Sequence, residues 1–225
     1  MTMSFVEYAD RDMLAIDLAD KIANELVEAL HHAPRATLVV PGGTTPGPIF
    51  DDLCAVDLGW DRVDVMLSDE RWVPTDHPRS NAALLRKRLL VGPAEAANFI
   101  PFYDGSPSAE AMIAAQEPDI RAKLPISVAL LGMGDDMHTA SLFPRGDNLR
   151  LALDLHAPTL IPMRVDGVPE QRISLSAPVL RDALRLHIVI TGDDKKAALE
   201  RAQTLPAEEA PVRAILDKAV VHWAP

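Results

Sequence analysis

Apolar side chains recur at Ile16, Ala19, Ala23, Leu26, Val27 and Leu30, and this period predicts an amphipathic helix over residues 12–30. The next apolar stretch is of a different kind. Thr37–Val40 is a short continuous run, cut off by Pro41-Gly42-Gly43, as expected of a buried strand. Val63–Leu67 repeats that pattern and ends at Ser68-Asp69-Glu70-Arg71. Asn81–Leu90 reads as a helix with a basic outer face (Arg86, Lys87, Arg88) and Ser80 or Asn81 as its cap. Ser108–Leu124 predicts another helix, which Pro118 should break or kink. Strands are expected at Ile126–Leu131, Arg172–Ser176, Leu186–Thr191 and Val220–Trp223, with helices near Pro178–Leu184 and Asp193–Ala202.

Strand and helix therefore alternate through most of the chain. That alternation predicts an α/β fold, a mainly parallel Rossmann-like sheet flanked by helices. Residues 144–170 are rich in proline and charge and read as loops, or as part of a small subdomain. No repeat, low-complexity tract or linker interrupts the pattern, so residues 1–225 are expected to form a single domain.

Composition changes this picture in a few respects. The formal net charge of −11 argues against a nucleic-acid partner, which needs a basic face. It leaves room for a small phosphorylated ligand, since one phosphate needs only a nest of amides and two or three cations. No apolar run approaches the roughly 20 residues that span a bilayer. The N-terminal stretch Met1–Tyr8 has neither a basic region nor an apolar core, so no signal peptide is expected. Cys54, the one cysteine, rules out an internal disulfide and sits at core spacing with Phe50, Leu53 and Leu58. These features fit a cytoplasmic protein.

Four segments carry candidate chemistry, each at the edge of a predicted strand. Gly42-Gly43-Thr44-Thr45 can bring backbone amides and hydroxyls close to an anion, with Pro46 suited to the first turn of the helix that follows. It matches neither the Walker loop nor the dinucleotide fingerprint, and a tight turn uses the same residues. In Ser68-Asp69-Glu70-Arg71, the carboxylates can take sugar hydroxyls or hold Arg71, which can meet a phosphate or an oxyanion; a solvated ion pair is the plainer alternative. Leu131–Pro144 packs two glycines, Asp135, Asp136, His138 and two hydroxyls into one turn. A histidine there can titrate near neutral pH, with a carboxylate fixing its tautomer. Arg172 and Lys195 add two separate cations. The other six histidines lack metal-ligand spacing, and no metal site or cofactor is expected.

In order along the chain, Gly42-Gly-Thr-Thr-Pro46, Asp69-Glu-Arg71 with Val73-Pro74 and Ser80-Asn81, Leu131-Gly-Met-Gly134, Asp136-x-His-Thr-Ala-Ser-Leu-Phe-Pro144, Arg172-Ile-Ser-Leu with Pro178, and Gly192-Asp-Asp-Lys195 resemble the 6-phosphogluconolactonases. Their family also holds glucosamine-6-phosphate deaminase. The resemblance implies hydrolysis of 6-phosphoglucono-δ-lactone in the oxidative pentose phosphate pathway without a metal or organic cofactor. It implies that Gly42, Gly43, Thr44 and Thr45 take the phosphate, helped by Arg71, Arg172 and Lys195, with Asp69 beside the sugar. His138 is then the base that activates water, Asp136 supports it, and Arg71 or main-chain amides stabilise the oxyanion. The expected partner is a small sugar-phosphate lactone, and the chain is expected to be a monomer or homodimer.

Three positions depart from the family pattern. Met137 replaces a usual glycine; at positive φ it would cost roughly 1 kcal/mol or more, and its longer side chain is expected to narrow the pocket. Pro41 stands where a small hydroxyl residue is common, and Val165–Gln171 replaces a proline- and lysine-rich run. Three other functions fit this sequence less well. The deaminases carry a glutamate five residues after the histidine, where this chain has Phe143. A non-catalytic sugar-phosphate sensor has no need of His138 and Asp136. A lactonase for unphosphorylated sugars would not need Arg172 and Lys195.

Overall fold

The computed structural model describes residues 3–225, so the first two residues of the stretch read as lacking a signal peptide lie outside it. In chain order the elements are β1 (Ser4–Glu7), α1 (Arg11–His32), β2 (Ala36–Val40), α2 (Gly47–Leu53), β3 (Val63–Leu67), β4 (Asp69–Arg71), α3 (Asn81–Arg88), β5 (Asn98–Ile100) and α4 (Ala109–Arg121). There follow β6 (Val128–Gly132), α5 (Leu149–Leu153), β7 (Leu160–Met163), β8 (Arg172–Leu175), α6 (Ala177–Arg181), β9 (Arg185–Thr191), α7 (Asp193–Ala202) and β10 (Val220–Ala224).

Seven parallel strands pair in the order β1-β10-β9-β6-β2-β3-β5. Helices cover both faces, so β2 and β3 are buried at every position and read as continuous apolar runs instead of alternating ones. Helix α1 lays Leu14, Leu18, Ile22, Leu26 and Leu30 into the core, and the Asp10 side chain caps it by accepting from Met13 N at 2.8 Å. From β2 the sheet grows outward through β3 and β5; from β6 it grows the other way through β9 and β10. Because β2 and β6 are neighbours, the loops leaving their carboxyl ends diverge, and a crevice opens between them.

A second sheet, antiparallel in the order β4-β8-β7, stands beside this crevice. Its register pairs Arg71 directly with Arg172. Two cations far apart in sequence thus project as cross-strand neighbours.

Several expectations need correction. Residues 144–170 are not all loop: they contain α5 and β7. Pro162 obscured β7, but β7 is the edge of the small sheet, where a missing N–H is harmless. β1 and β5 were also missed, being short and mostly exposed or half-buried. Pro118 does not break α4, which ends three residues earlier than expected, at Arg121. The proline sits in the last turn, and Ala114, whose carbonyl loses its donor, is exposed. Helix α2 begins at Gly47, with Pro46 as its cap and Pro48 in its first turn. Cys54 is buried in the core as expected, and burial pushes its thiol up.

Candidate active site

A cleft of about 390 Å³ occupies the crevice. Its wall includes Gly42, Gly43, Thr44 and Thr45 from the loop after β2, Asp69 and Arg71 from β4, His138 from the loop after β6, Arg172 from β8 and Lys195 from α7. Nine of the ten residues singled out from sequence therefore meet at one place. The tenth, Asp136, stands just behind His138.

The loop after β6 is closed on itself: Gly134 N donates to the His138 carbonyl at 2.9 Å, and Met137 N donates to the Gly134 carbonyl at 3.0 Å. Thr139 Oγ1 ties the loop's exit to the Gly132 carbonyl at 2.9 Å. This folds Asp136 back onto the ring, with His138 Nδ1 2.5 Å from Asp136 Oδ1. An ionised carboxylate only accepts, so Nδ1 carries the proton and the Nε2 lone pair is left free to act as a base. Partial burial opposes ionisation of Asp136, but the bond to His138, the charge of His138 and nearby backbone N–H groups prevail and hold its carboxyl below the usual range. Gly134 makes the arrangement possible: a Cβ there would lie 2.1 Å from His138 Nδ1.

Met137 has φ 65°, in the left-handed region that favours glycine, and the loop carries that strain. Met137 packs against the core and its carbonyl accepts from Val212 N at 3.0 Å; its side chain is not part of the cleft wall, so it does not narrow the pocket.

The cations are held in different ways. Arg71 Nη1 donates to the Arg79 carbonyl at 2.8 Å and to Asn81 Oδ1 at 2.6 Å. Lys195 Nζ donates to the Met133 carbonyl at 2.8 Å and pairs with Asp135 at 2.9 Å. Arg172 stands 3.9 Å from Asp69, and burial, with the charge of Arg71 adding to it, weakens its hold on its proton while Asp69 opposes. The Nε atoms of both Arg71 and Arg172 are buried without a hydrogen-bond partner. Both guanidinium groups belong to residues of one cleft wall, where two cations can meet an anion.

The acidic pair beside Arg71 divides its labour. Asp69 reaches the cleft, accepting from Ser68 Oγ at 2.9 Å and Ser141 Oγ at 2.5 Å. Glu70 does not. It is buried beneath α3, where it accepts from Arg71 N, Asn81 N, Ala82 N and Ser80 Oγ at 2.7–2.9 Å. The expectation that Glu70 offers a carboxylate to sugar or to the Arg71 guanidinium is replaced by a structural role, and neither acid is a solvated surface ion pair.

Sequence reasoning undervalued Asn81, read first as a cap. Ser80 is the N-cap of α3, and Asn81 lines the cleft, steadies Arg71 and donates to the Asp69 carbonyl at 2.8 Å. It also lies so close under the phosphate-type loop that a Cβ on Gly42 would stand 1.9 Å from Asn81 Oδ1. The signal was present in Ser80-Asn81 after the Asp69-Glu-Arg71 motif. Among the described residues, no cluster of His, Cys, Asp and Glu is suited to hold a metal ion, and no helix is long and apolar enough to cross a membrane.

The sequence pattern shared by glucosamine-6-phosphate isomerases and 6-phosphogluconolactonase matches residues 9–223. A 6-phosphogluconolactonase of Mesorhizobium japonicum is 39% identical over 224 residues, 97% of this chain and 94% of its own. Another, of Pseudomonas aeruginosa, is 41% identical over 212 residues, 92% of this chain and 89% of its own. The crystal structure of a 6-phosphogluconolactonase from Shewanella baltica superposes with a TM-score of 0.95 at 31% identity, covering 100% of this chain and 98% of that one. The chain belongs to the glucosamine-6-phosphate isomerase/6-phosphogluconolactonase family.

Proposed function

We propose that this chain hydrolyses 6-phosphoglucono-δ-lactone to 6-phosphogluconate in the pentose phosphate pathway, with His138 as general base. The observation that carries the mechanism is the His138–Asp136 pair, oriented with Nε2 free at the wall of a cleft that also holds Arg71, Arg172 and Lys195. The relatives at 39% and 41% identity bear the name of that activity.

In this reading the 6-phosphate rests on Gly42–Thr45 among the cations, and Asp69 accepts from a sugar hydroxyl. His138 Nε2 takes a proton from water as the oxygen attacks the lactone carbonyl, and Asp136 stabilises the imidazolium that forms. A guanidinium or main-chain N–H meets the oxyanion. When the tetrahedral intermediate collapses, the ring C–O bond breaks and the imidazolium returns its proton to the departing ring oxygen. No redox step or group carrier is involved.

The deaminase reading lacks its proton carrier, since Phe143 occupies that position, buried and apolar. A mere sensor leaves the ordered His138–Asp136 pair without purpose. Every group named comes from one chain, so a monomer or a homodimer serves equally, and a cytoplasmic location suits a phosphorylated sugar substrate. The test is lactone hydrolysis coupled to 6-phosphogluconate dehydrogenase, read against spontaneous opening. Wild type should accelerate it strongly and His138→Ala should not. A His138→Ala protein with the full rate would remove His138 from the mechanism, and a wild type at background would remove the function.

A further inference from the structure

Phe143 is buried, with 7% of its surface exposed, and its side chain is not part of the cleft wall. It nevertheless touches two groups that are. Its ring centroid lies 4.5 Å from that of His138, tilted by 43°, and the Arg172 guanidinium carbon lies 5.6 Å from the same centroid. One aromatic ring thus contacts both the base and a cation of the site. We propose that Phe143 is a positioning residue that fixes the His138 imidazole for proton transfer and stabilises its cationic form, while anchoring Arg172. The proposal deepens the lactonase reading and rests on it for its kinetic test.

The physical argument has three parts. Among the described residues, the one hydrogen bond to the His138 ring runs from Nδ1 to Asp136, which leaves the ring free to swing about that bond unless something packs against it. Phe143 supplies that surface. Next, an imidazolium forms only while water is attacking, and the polarisable ring 4.5 Å away, tilted by 43°, is worth more to the cation than to the neutral imidazole, so the contact favours the transition state over the ground state. Last, Arg172 has its Nε without a partner and is 3.9 Å from Asp69, so the Phe143 contact is a large part of what holds its guanidinium. A leucine at 143 keeps most of the apolar bulk and loses the aromatic ring; a tyrosine keeps the ring.

The experiment compares wild type, Phe143→Leu and Phe143→Tyr. The expected result is a fall in kcat of about 5- to 30-fold for Phe143→Leu, the range of a desolvated cation–π contact, with a smaller change in KM. Phe143→Tyr should restore most of kcat. Side-chain NMR gives a readout independent of turnover: the His138 imidazole protons should stay sharp in wild type and Phe143→Tyr and broaden by exchange in Phe143→Leu. A Phe143→Leu protein with unchanged kcat, or with a sharp and singly oriented His138, overturns the proposal even if its melting temperature drops. A fall in kcat that tyrosine fails to rescue also overturns it. Background activity in wild type would refute the lactonase reading instead, and the NMR comparison would still decide whether Phe143 orients His138.

Discussion

Replacing Glu70 by glutamine preserves the shape of the side chain and changes only what its two terminal atoms can accept. In the folded protein four donors converge on that carboxylate, two on each oxygen. A protonated carboxyl would need an acceptor for its own O–H, and none of these partners is one except the Ser80 hydroxyl. Burial raises the Glu70 carboxyl above the ordinary range, against the pull of those four donors. In Glu70→Gln the amide oxygen can keep Arg71 N and Asn81 N, but the amide nitrogen then faces Ala82 N, donor against donor. Leaving that buried N–H unsatisfied costs about 1–3 kcal/mol. Losing the negative charge at the first turn of α3 adds about 1 kcal/mol. The sum, about 3 kcal/mol, should lower the melting temperature by about 6–12 °C for a chain of this size. Because the orphaned Ala82 N adjoins Asn81 in the first turn of α3 and Asn81 steadies Arg71, kcat/KM should fall about 10-fold or more. Thermal unfolding and the coupled lactone assay read the two effects. If Glu70→Gln melts within about 2 °C of wild type with kcat/KM unchanged, the four-donor argument is refuted, because glutamine would then be mimicking a protonated acid.

Three further outcomes are expected. Gly134→Ala drives a methyl group onto His138 Nδ1, so kcat should fall about 100-fold with little change in the far-UV circular dichroism spectrum. Met137→Gly relieves roughly 1 kcal/mol of left-handed strain at the loss of some packing, and should leave kcat and KM within about two-fold, since Met137 is not in the cleft wall; a large change in KM would give Met137 a role in the pocket. Burial, then the neighbouring His187, pushes His222 down to about 4. The unfolded chain binds a proton near pH 6.5 that the folded chain refuses, so this contribution to stability is full above about pH 6.5 and is lost as pH falls toward about 4. His222→Gln should flatten the decline in melting temperature across that window, and an unchanged slope would mean that His222 is not its source.

The sequence by itself determined the long, strongly patterned elements and the chemistry of the site. Helix α1 declared itself through its buried stripe, and β2, β3 and β6 through apolar runs, because burial selects side chains locally. His138, Asp136 and the Gly42–Thr45 loop were legible because a turn that must bring a base, a carboxylate and open backbone into a few residues has few solutions. Tertiary structure alone decided what depends on distant partners. Glu70 and Asp69 are adjacent and chemically alike, yet one is sealed beneath α3 and the other reaches the cleft, because alternate residues of β4 face opposite sides. Arg71 and Arg172 became neighbours only through the register of the small antiparallel sheet, whose edge strand β7 hid behind Pro162. Phe143 carries no signature of its contacts, and Asn81 only its place after the Asp69-Glu-Arg71 motif, since what matters in each is which side chain from another element it touches. Local pattern records how much of a residue is buried; which neighbour buries it is a property of the folded chain.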